Sequence, residues 1–443
     1  MDTPICDFVR RYAQSGALRC HMPGHKGQAL LGMEGLDITE IAGADSLYEA
    51  DGIIARSEAN AGSLFGTETF YSTEGSSLCI RAMLHLAALQ AKQAGRTPLI
   101  AAARNAHKVF LSAAALLDLE VTWLGSSGEG SYLSCRVTPD ALDAVLTQKP
   151  VTAVYITSPD YLGTLQDIRG LAQVCHRHGC LLLVDNAHGA YLKFLPQSLH
   201  PMDLGADLCC DSAHKTLPAL TGAAYLHVAA AIPAELARQA KNAMALFGST
   251  SPSYLLLQSL DAVNGYLADG YTADLAAFVR QTAELKAALT RHGYSLRDGE
   301  PLKLTVHAKA YGYTGTDLGR ALEAQGIVCE FCDPDYLVLM LTPQLGQAGL
   351  ERLEKAMKEI PAKQPITGHP PVFCRCEQVL SIREAALSPC EIIPAAQAVG
   401  RVLAAPSVGC PPAVPIVICG ERISEAAAEA FAYYGIQNCT VVK

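Results

Sequence analysis

The stretch Leu181-Leu-Leu-Val-Asp185 decides the fold, because it is a short, continuous apolar run that ends in a carboxylate. A strand buried on both faces gives such an uninterrupted run, and helical patterns separate the runs when the sheet is parallel. Comparable runs lie on either side of it, at 98–102, 121–124, 152–157, 206–210 and 222–227, with helical patterns at 78–94, 107–117 and 171–178. Residues from about 65 to 230 are therefore predicted to form an α/β domain with a mainly parallel sheet.

The rhythm of the sequence changes after about residue 270. Helical patterns are followed by short apolar runs, which is typical of a smaller α+β domain, and a proline-rich linker comes next. The helices are predicted at 275–292, 317–325 and 349–360, and the strands at 303–307, 327–330 and 336–341. The predicted division is an N-terminal arm (1–60), a large domain (61–270), a small domain (271–360) and a C-terminal linker and pocket segment (361–443).

Composition narrows the class of protein. Half of the 443 residues are hydrophobic and 17% are charged, which indicates a packed globular chain. The formal charge of −9 disfavours nucleic acid and anionic membranes as partners. We find no apolar run of signal-peptide or membrane-spanning length and expect a cytoplasmic protein. The 16 cysteines are scattered, and the lone CxxC at Cys329 and Cys332 has no second pair, so we expect reduced thiols and no metal site.

Two polar residues follow neighbouring apolar runs, where parallel sheets bind ligands. Lys215 lies just after the run at 206–210, and Asp185 ends its own run. Each residue alone is explained by a solvated lysine or a turn-forming aspartate. Together they are more specific, because a partly buried lysine can form a Schiff base and a carboxylate can bind a protonated pyridine nitrogen.

Other strand ends carry groups suited to the same ligand. Gly75-Ser76-Ser77 opens a predicted helix, and free N–H groups there form an anion site, although an ordinary serine cap would give the same pattern. His107 follows the run at 98–102, where an imidazole caps a helix or stacks on a ring. The segment 158–161 follows another strand and could line the same cleft.

These segments, taken in order, resemble the Orn/Lys/Arg decarboxylase family of fold type I enzymes that use pyridoxal 5′-phosphate (PLP). The resemblance begins with His21-Met-Pro-Gly-His25-Lys26-Gly27 and covers most of the chain. It continues through Asp37-Ile-Thr-Glu40, Asp45-Ser-Leu47, Gly75-Ser76-Ser77, Arg104-Asn-Ala-His107-Lys108, Asp185-Asn-Ala-His188-Gly189, Ser212-Ala-His214-Lys215 and the stretch from Ser249-Thr250 to Asp261. The length resembles the compact members without an N-terminal receiver-like wing.

The resemblance implies a role for each matching residue. Lys215 would hold PLP as a Schiff base, Asp185 would bind the pyridine nitrogen and His107 would stack on the ring. The resemblance also implies residues that bind the phosphate, contact the cofactor, reach across a homodimer and contact a distal cation of the substrate. The phosphate residues are Gly75, Ser76, Ser77, Ser212 and His214. His188 lies beside the cofactor, Thr250 reaches the phosphate from the partner subunit of a homodimer, and Glu421 contacts the cation.

The implied reaction is decarboxylation of arginine, lysine or ornithine to the amine and CO₂, as in polyamine biosynthesis. The chain departs from the family pattern at two places. Glu74 stands where members commonly carry Asn, and Cys410-Pro-Pro-Ala413-Val-Pro415 with Cys419-Gly-Glu421 replaces Tyr-Pro-Pro-Gly-Ile-Pro and Pro-Gly-Glu. Two alternatives stay open. Another PLP reaction (aminotransferase or lyase) is one, because the fold and cofactor do not fix which bond breaks, and a non-catalytic PLP-binding regulatory protein is the other, suggested by the altered segment. The sequence does not rank the three basic amino acids.

Overall fold

The computed structural model describes residues 1–125, 131–372, 375–406 and 413–443. Cys410 and the two prolines after it, which entered the sequence predictions, lie outside the described residues. The chain forms two compact units, the first from 1–96 and 181–275 and the second from 97–180 and 276–443. The four-part division predicted from the sequence stays a prediction.

The strands and helices of the described residues follow in chain order. The strands are β1 (Glu68–Ser72), β2 (Leu99–Ala103), β3 (Glu120–Leu124), β4 (Ala153–Thr157), β5 (Leu181–Asp185), β6 (Leu208–Asp211), β7 (Ala224–Val228), β8 (Lys303–His307), β9 (Phe331–Cys332), β10 (Tyr336–Met340), β11 (Glu377–Gln378), β12 (Cys390–Pro394), β13 (Leu403–Ala405), β14 (Glu421–Arg422) and β15 (Asn438–Val442). The helices are α1 (Pro4–Gln14), α2 (Ile53–Phe65), α3 (Gly75–Gln93), α4 (Lys108–Leu117), α5 (Pro139–Gln148), α6 (Ile168–Arg177), α7 (Ala213–Thr216), α8 (Ala234–Ala237), α9 (Ala240–Ala245), α10 (Tyr254–Ala268), α11 (Tyr271–His292), α12 (Gly315–Glu323), α13 (Gly346–Glu359), α14 (Ile382–Leu387) and α15 (Glu425–Tyr433).

The first unit contains the strands in the order β1-β7-β6-β5. β5 and β6 are parallel, and Asp185 lies opposite Cys210. β7 is antiparallel to both β6 and β1. Every residue of β5 is buried, which explains its unbroken apolar sequence. The register brings the ends of β5 and β6 side by side, so the residues that follow them are neighbours.

Three N-terminal motif residues have local structural roles. The carboxylate of Asp45 accepts hydrogen bonds from the backbone N–H groups of Gly52 (2.9 Å) and Ile54 (2.8 Å), at the start of α2. His25 Nε2 lies 3.3 Å from the carboxylate of Asp37. A carboxylate at a helix start satisfies N–H groups that have no partner within the helix and interacts favourably with the helix dipole. These contacts fix the course of the chain before the first strand.

In the second unit β2 lies between β3 and β4, and both pairings are parallel. A separate antiparallel sheet has the order β8-β10-β9, and the C-terminal segment adds a sheet of order β12-β15-β13 and the pair β11-β14. The predicted strand at 303–307 is confirmed residue for residue as β8. The predicted strand at 327–330 is wrong. Val328 is 83% exposed, and pairing begins only at Phe331, opposite Val338.

Candidate active site

Asp185 is the last residue of β5, and its side chain is held by its own turn. The residue is 3% exposed. Its Oδ1 atom accepts a hydrogen bond from the backbone N–H of Ala187 at 3.2 Å and a weaker one from the Cys210 thiol at 3.6 Å. Neutral donors at a buried carboxylate orient it without neutralising its charge. The carboxylate is therefore fixed in a direction set by the strand end.

Lys215 lies in the short helix α7, immediately after β6. Its side chain is half-buried, and Nζ lies 3.0 Å from Nε2 of His188. His188 is itself 5% exposed and follows β5, three residues after Asp185. The parallel pairing of β5 and β6 thus brings together a lysine, a histidine and a carboxylate. A proton can pass directly between Nζ and Nε2 at this distance.

Gly75, Ser76 and Ser77 form the first turn of α3. Gly75 has a φ of +66°, which favours glycine, and its N–H donates to the carbonyl of Gly222 at 2.7 Å. Glu74, the residue that precedes the helix, makes no side-chain cap, so it does not occupy the N–H groups of the first turn. The Ser212 hydroxyl donates to the Ser76 hydroxyl at 2.9 Å, which joins the end of β6 to this turn. Hydroxyls and backbone N–H groups therefore converge where a phosphate would bind.

His214 and Thr250 differ in their surroundings. Burial lowers the pKa of His214, although a hydrogen bond from Nδ1 to the carbonyl of Ala223 (3.0 Å) opposes this effect. Nε2 is then the ring nitrogen left for a ligand. Thr250 is exposed, in the segment before α10. The backbone N–H of its neighbour Ser249 donates to the carboxylate of Glu74 at 2.5 Å.

The donor set of the first unit fits PLP. The ligand needs an amine for its aldehyde, a carboxylate for its ring nitrogen and an anion site for its phosphate. Lys215, Asp185 and the turn at Gly75-Ser76-Ser77 supply these three groups. A Cβ atom built on Gly75 would meet no atom within 4 Å, so the start of α3 has room for a bound group.

The second unit contains the other two predicted residues. His107 precedes α4, and its Nδ1 accepts a hydrogen bond from the Val109 N–H at 3.2 Å, so it caps that helix. Glu421 is 4% exposed and forms an ion pair with Arg104 at 3.3 Å. Burial raises the pKa of Glu421, and the Arg104 guanidinium opposes that shift.

Arg104 begins the motif Arg104-Asn-Ala-His107-Lys108, and the sequence alone predicts no role for it. Its guanidinium donates to the carbonyl oxygens of Pro415 and Ile416, both at 2.9 Å, in addition to Glu421. Glu421 also accepts from the backbone N–H of Ile418 at 2.8 Å. An arginine matched to a carboxylate and carbonyl groups can fix a segment of chain. The one feature of the sequence that could have indicated this role is the position of Arg104 directly after the apolar run that forms β2.

A buried carboxylate and a partly buried lysine at adjacent strand ends of an α/β fold, with an anion-binding helix start, define the class of fold type I PLP-dependent enzymes. The family model of the Orn/Lys/Arg decarboxylase major domain matches residues 3–303. The chain belongs to this family and is a PLP-dependent decarboxylase of a basic amino acid. The predicted family, fold class, enzyme class and cofactor are confirmed.

Individual relatives give the same picture. The arginine decarboxylase of Halalkalibacterium halodurans is 28% identical over 96% of this chain and 91% of its own length. The arginine decarboxylase of Bacillus subtilis is 27% identical over 96% of this chain and 92% of its own length. Among solved structures, lysine decarboxylase A of Pseudomonas aeruginosa has a TM-score of 0.80 at 16% identity and covers 99% of this chain and 80% of its own. At that identity the likeness concerns the fold alone.

A search of the described residues for membrane spans finds no helix of sufficient length and apolarity to cross a bilayer.

Proposed function

We propose that the chain decarboxylates arginine, with PLP bound at Lys215. The observation that carries the proposal is the Lys215–His188 contact of 3.0 Å beside the buried carboxylate of Asp185, at the adjoining ends of β5 and β6. Arginine is favoured over lysine and ornithine because two relatives that match 96% of the chain are named arginine decarboxylases. The lysine decarboxylases are similar in fold, at 16% identity.

Each residue of the first unit has a proposed task. Bound PLP supplies an electron-withdrawing ring that accepts the electron pair left when CO₂ departs. The carboxylate of Asp185 would accept a hydrogen bond from the ring nitrogen and keep that nitrogen protonated. Lys215 would hold the cofactor through Nζ, and its amine would carry a proton for the product carbon. His188 exchanges that proton with Nζ across 3.0 Å.

The phosphate is proposed to bind at the start of α3. The backbone N–H groups of Ser76 and Ser77, in the first turn of α3, are the proposed donors, and the helix dipole adds to their attraction for an anion. Ser212, already bonded to Ser76 at 2.9 Å, adds a hydroxyl, and His214 adds Nε2. In the second unit His107 is proposed to stack on the ring, as the resemblance implies. A contact of Glu421 with a distal cation of the substrate stays a prediction, since its known partners are Arg104 and Ile418.

A homodimer is proposed from the surface of the first unit. Leu18 (89% exposed), Leu30 (89%) and Leu31 (84%) are large apolar side chains left exposed in the N-terminal arm. Such exposure is unfavourable in a monomer and is typical of an interface. Thr250 is exposed as well, as a residue that serves the partner's phosphate site would be.

The free cysteines of the described residues support a reducing, cytoplasmic compartment, and the reaction fits polyamine biosynthesis.

The test is an assay of purified protein with PLP and arginine, lysine or ornithine, in which CO₂, amine and keto acid are measured. We expect CO₂ and the amine in equal amounts from arginine, with lysine and ornithine slower. Lys215→Ala should lose the reaction, and Lys92→Ala, an exposed lysine on α3, should keep it. Keto acid in place of CO₂ would contradict decarboxylation, and a faster reaction with lysine would contradict the choice of arginine.

A further inference from the structure

A fully buried polar cluster lies behind the proposed site in the first unit. Its members are Asp211, His200, His227 and Asn186, each 0% exposed. Asp211 Oδ2 accepts hydrogen bonds from Nε2 of His200 (3.0 Å) and from Nε2 of His227 (3.1 Å). Asp211 Oδ1 accepts a hydrogen bond from the side-chain amide of Asn186 at 2.6 Å. The carboxylate thus has three nitrogen neighbours at hydrogen-bonding distance, and none of the four residues belongs to the site described above.

The two histidines are oriented as donors toward Asp211. His200 Nδ1 accepts the backbone N–H of Met202 at 3.4 Å, which leaves the proton on Nε2. His227 Nδ1 lies 2.9 Å from the Thr69 hydroxyl, which can donate to it. Burial lowers the pKa of His227, although Asp211 opposes that effect. Both rings can therefore donate Nε2–H to the carboxylate.

The carboxylate of Asp211 is ionised in this environment. Burial alone would raise its pKa, but His200 and His227 outweigh burial through charge and hydrogen bonds, and the pKa lies well below its ordinary range. A buried carboxylate is costly unless its oxygens are satisfied, and here both oxygens have donors. An ionised, fully bonded carboxylate has one fixed position, which makes it suitable as an anchor.

Asp211 connects the two segments that carry the proposed catalytic residues. Asn186, which bonds to Asp211, directly follows Asp185, and its backbone N–H donates to the carbonyl of Cys210 at 3.0 Å. On the other side Asp211 precedes Ser212, whose carbonyl accepts the backbone N–H of Lys215 at 3.0 Å. Movement of Asp211 would therefore shift the end of β5 and the start of α7 relative to each other.

We propose that Asp211, held by His200 and His227, is a positioning residue that sets the placement of Asp185 relative to Lys215. This inference rests on the proposed roles of those two residues. In this proposal the buried cluster aligns the two residues that would bind the cofactor, Asp185 at the ring nitrogen and Lys215 at the aldehyde carbon. Misplacement of reacting groups by about 1 Å can reduce a rate about 10²-fold. A cluster that fixes two strand ends can therefore change the reaction rate strongly.

A metal site is the competing interpretation. His200, Cys209 and Asp211 have potential ligand atoms within 4.8 Å of one another. The hydrogen bonds disfavour it, because both oxygens of Asp211 already face N–H donors that a cation would have to displace. Burial also raises the pKa of Cys209 well above its ordinary range, which disfavours the thiolate that a metal needs.

The experiment compares Asp211→Asn, His227→Leu and His227→Gln with wild type as dimers loaded with PLP. His227→Gln keeps an N–H donor toward Asp211, and His227→Leu removes it. His85→Gln, a partly buried histidine on α3 that packs against Phe247, is the control. Four quantities are measured: the affinity of the apoprotein for PLP, the pH midpoint of the visible absorbance of the bound cofactor, kcat with KM, and the urea midpoint of the apoprotein.

We expect Asp211→Asn and His227→Leu to shift the absorbance midpoint and to lower kcat more than they raise KM, with a loss of about 10²-fold for Asp211→Asn. His227→Gln should recover most of the loss. If Asp211→Asn does not fold, the two His227 variants decide the question. Lower urea midpoints together with unchanged absorbance midpoint and kcat would overturn the proposal, because the cluster would then only stabilise the fold. One equivalent of bound zinc, lost in Asp211→Asn, would also overturn it.

Failure of the proposed function has a different signature. A Lys215→Ala protein that keeps the cofactor absorbance of wild type after desalting would refute the assignment of Lys215, whatever the Asp211 variants show. Intact decarboxylation in wild type with unaltered spectra in every cluster variant would refute only the positioning role.

Discussion

The ion pair between Arg104 and Glu421 gives the sharpest prediction of the second unit. Their side chains are 6% and 5% exposed, and the closest nitrogen and oxygen lie 3.3 Å apart. Removing one partner of a buried pair costs about 3–5 kcal/mol, because the remaining charge stays buried. Glu421→Gln keeps an oxygen for one hydrogen bond, and Arg104 keeps the carbonyl groups of Pro415 and Ile416. We therefore expect a loss of about 3 kcal/mol, the lower end of that range.

Urea unfolding followed by tryptophan fluorescence measures this loss locally. Trp123 is the single tryptophan of the chain, and the Arg104 guanidinium lies 5.6 Å from the centre of its ring. The emission of Trp123 therefore reports on the surroundings of the ion pair. Glu425→Gln, in the exposed first turn of α15, is the matched control and should cost at most about 1 kcal/mol, the usual contribution of a carboxylate at a helix start. Arg104→Gln should cost at least as much as Glu421→Gln, and the double variant should cost less than the sum of the two.

One result would refute the structural reasoning. If Glu421→Gln keeps the urea midpoint of wild type while KM for arginine rises strongly, then Glu421 contacts the substrate and its pairing with Arg104 contributes little to stability. A lower midpoint with unchanged KM would assign Glu421 to the anchoring of the segment around Ile418. The two measurements therefore separate the role that the resemblance implies from the role that the contacts indicate.

Further predictions concern the first unit. Lys215→Ala should lose the visible absorbance of the bound cofactor after desalting, and retained absorbance would contradict the Schiff base. Glu74→Ala should speed hydrogen exchange at the Ser249 amide, whereas Glu74→Gln, which keeps an acceptor, should not, and equal exchange in both would contradict the bond. Gly75→Ala should cost about 1 kcal/mol in urea unfolding because of the positive φ, and an unchanged midpoint would contradict that strain. Since the pKa of Asp211 is lowered from 3.8, its contribution to stability is present above that value and is lost as the pH falls below it, so Asp211→Asn should flatten the dependence of stability on pH below about 4.

The sequence predicted the buried strands well because burial on both faces leaves a local pattern. Leu181–Asp185 and Lys303–His307 have the predicted bounds. The first is an unbroken apolar run with a polar end, and in the second Leu304 and Val306 alternate with polar residues, and both patterns favour a short strand. The segment at 327–330 failed for the opposite reason. The real strand has two residues at a sheet edge, and its pairing with Val338 depends on a contact that no local pattern contains.

The candidate site divides in the same way. Gly75, Asp185 and Lys215 could be proposed because each lies at or close to the end of a regular element, and their order along the chain resembles that of a known family. The partners of the buried charges could not be predicted. Arg104 and Glu421 are 317 positions apart, and the contacts of Asp211 with its two histidines depend on how the strands and loops pack. Pairs of side chains that are far apart in sequence can be identified only from the three-dimensional structure.

The contact between Lys215 and His188 is what separates the proposed role of this lysine from an ordinary ion pair. A hydrogen bond between two nitrogen atoms requires one to donate and the other to accept, so Nζ and Nε2 at 3.0 Å cannot both be fully protonated while the bond lasts. A neutral amine is the form that attacks an aldehyde, and a protonated amine is the form that returns a proton to carbon. The arrangement gives Lys215 a neighbour that can take or return that proton within one hydrogen bond. In the proposed site, Asp185 is fixed by the turn that also carries His188, so the partner of the ring nitrogen and the partner in proton exchange would share one rigid turn. Binding of the cofactor and movement of the proton would then depend on the same two strand ends.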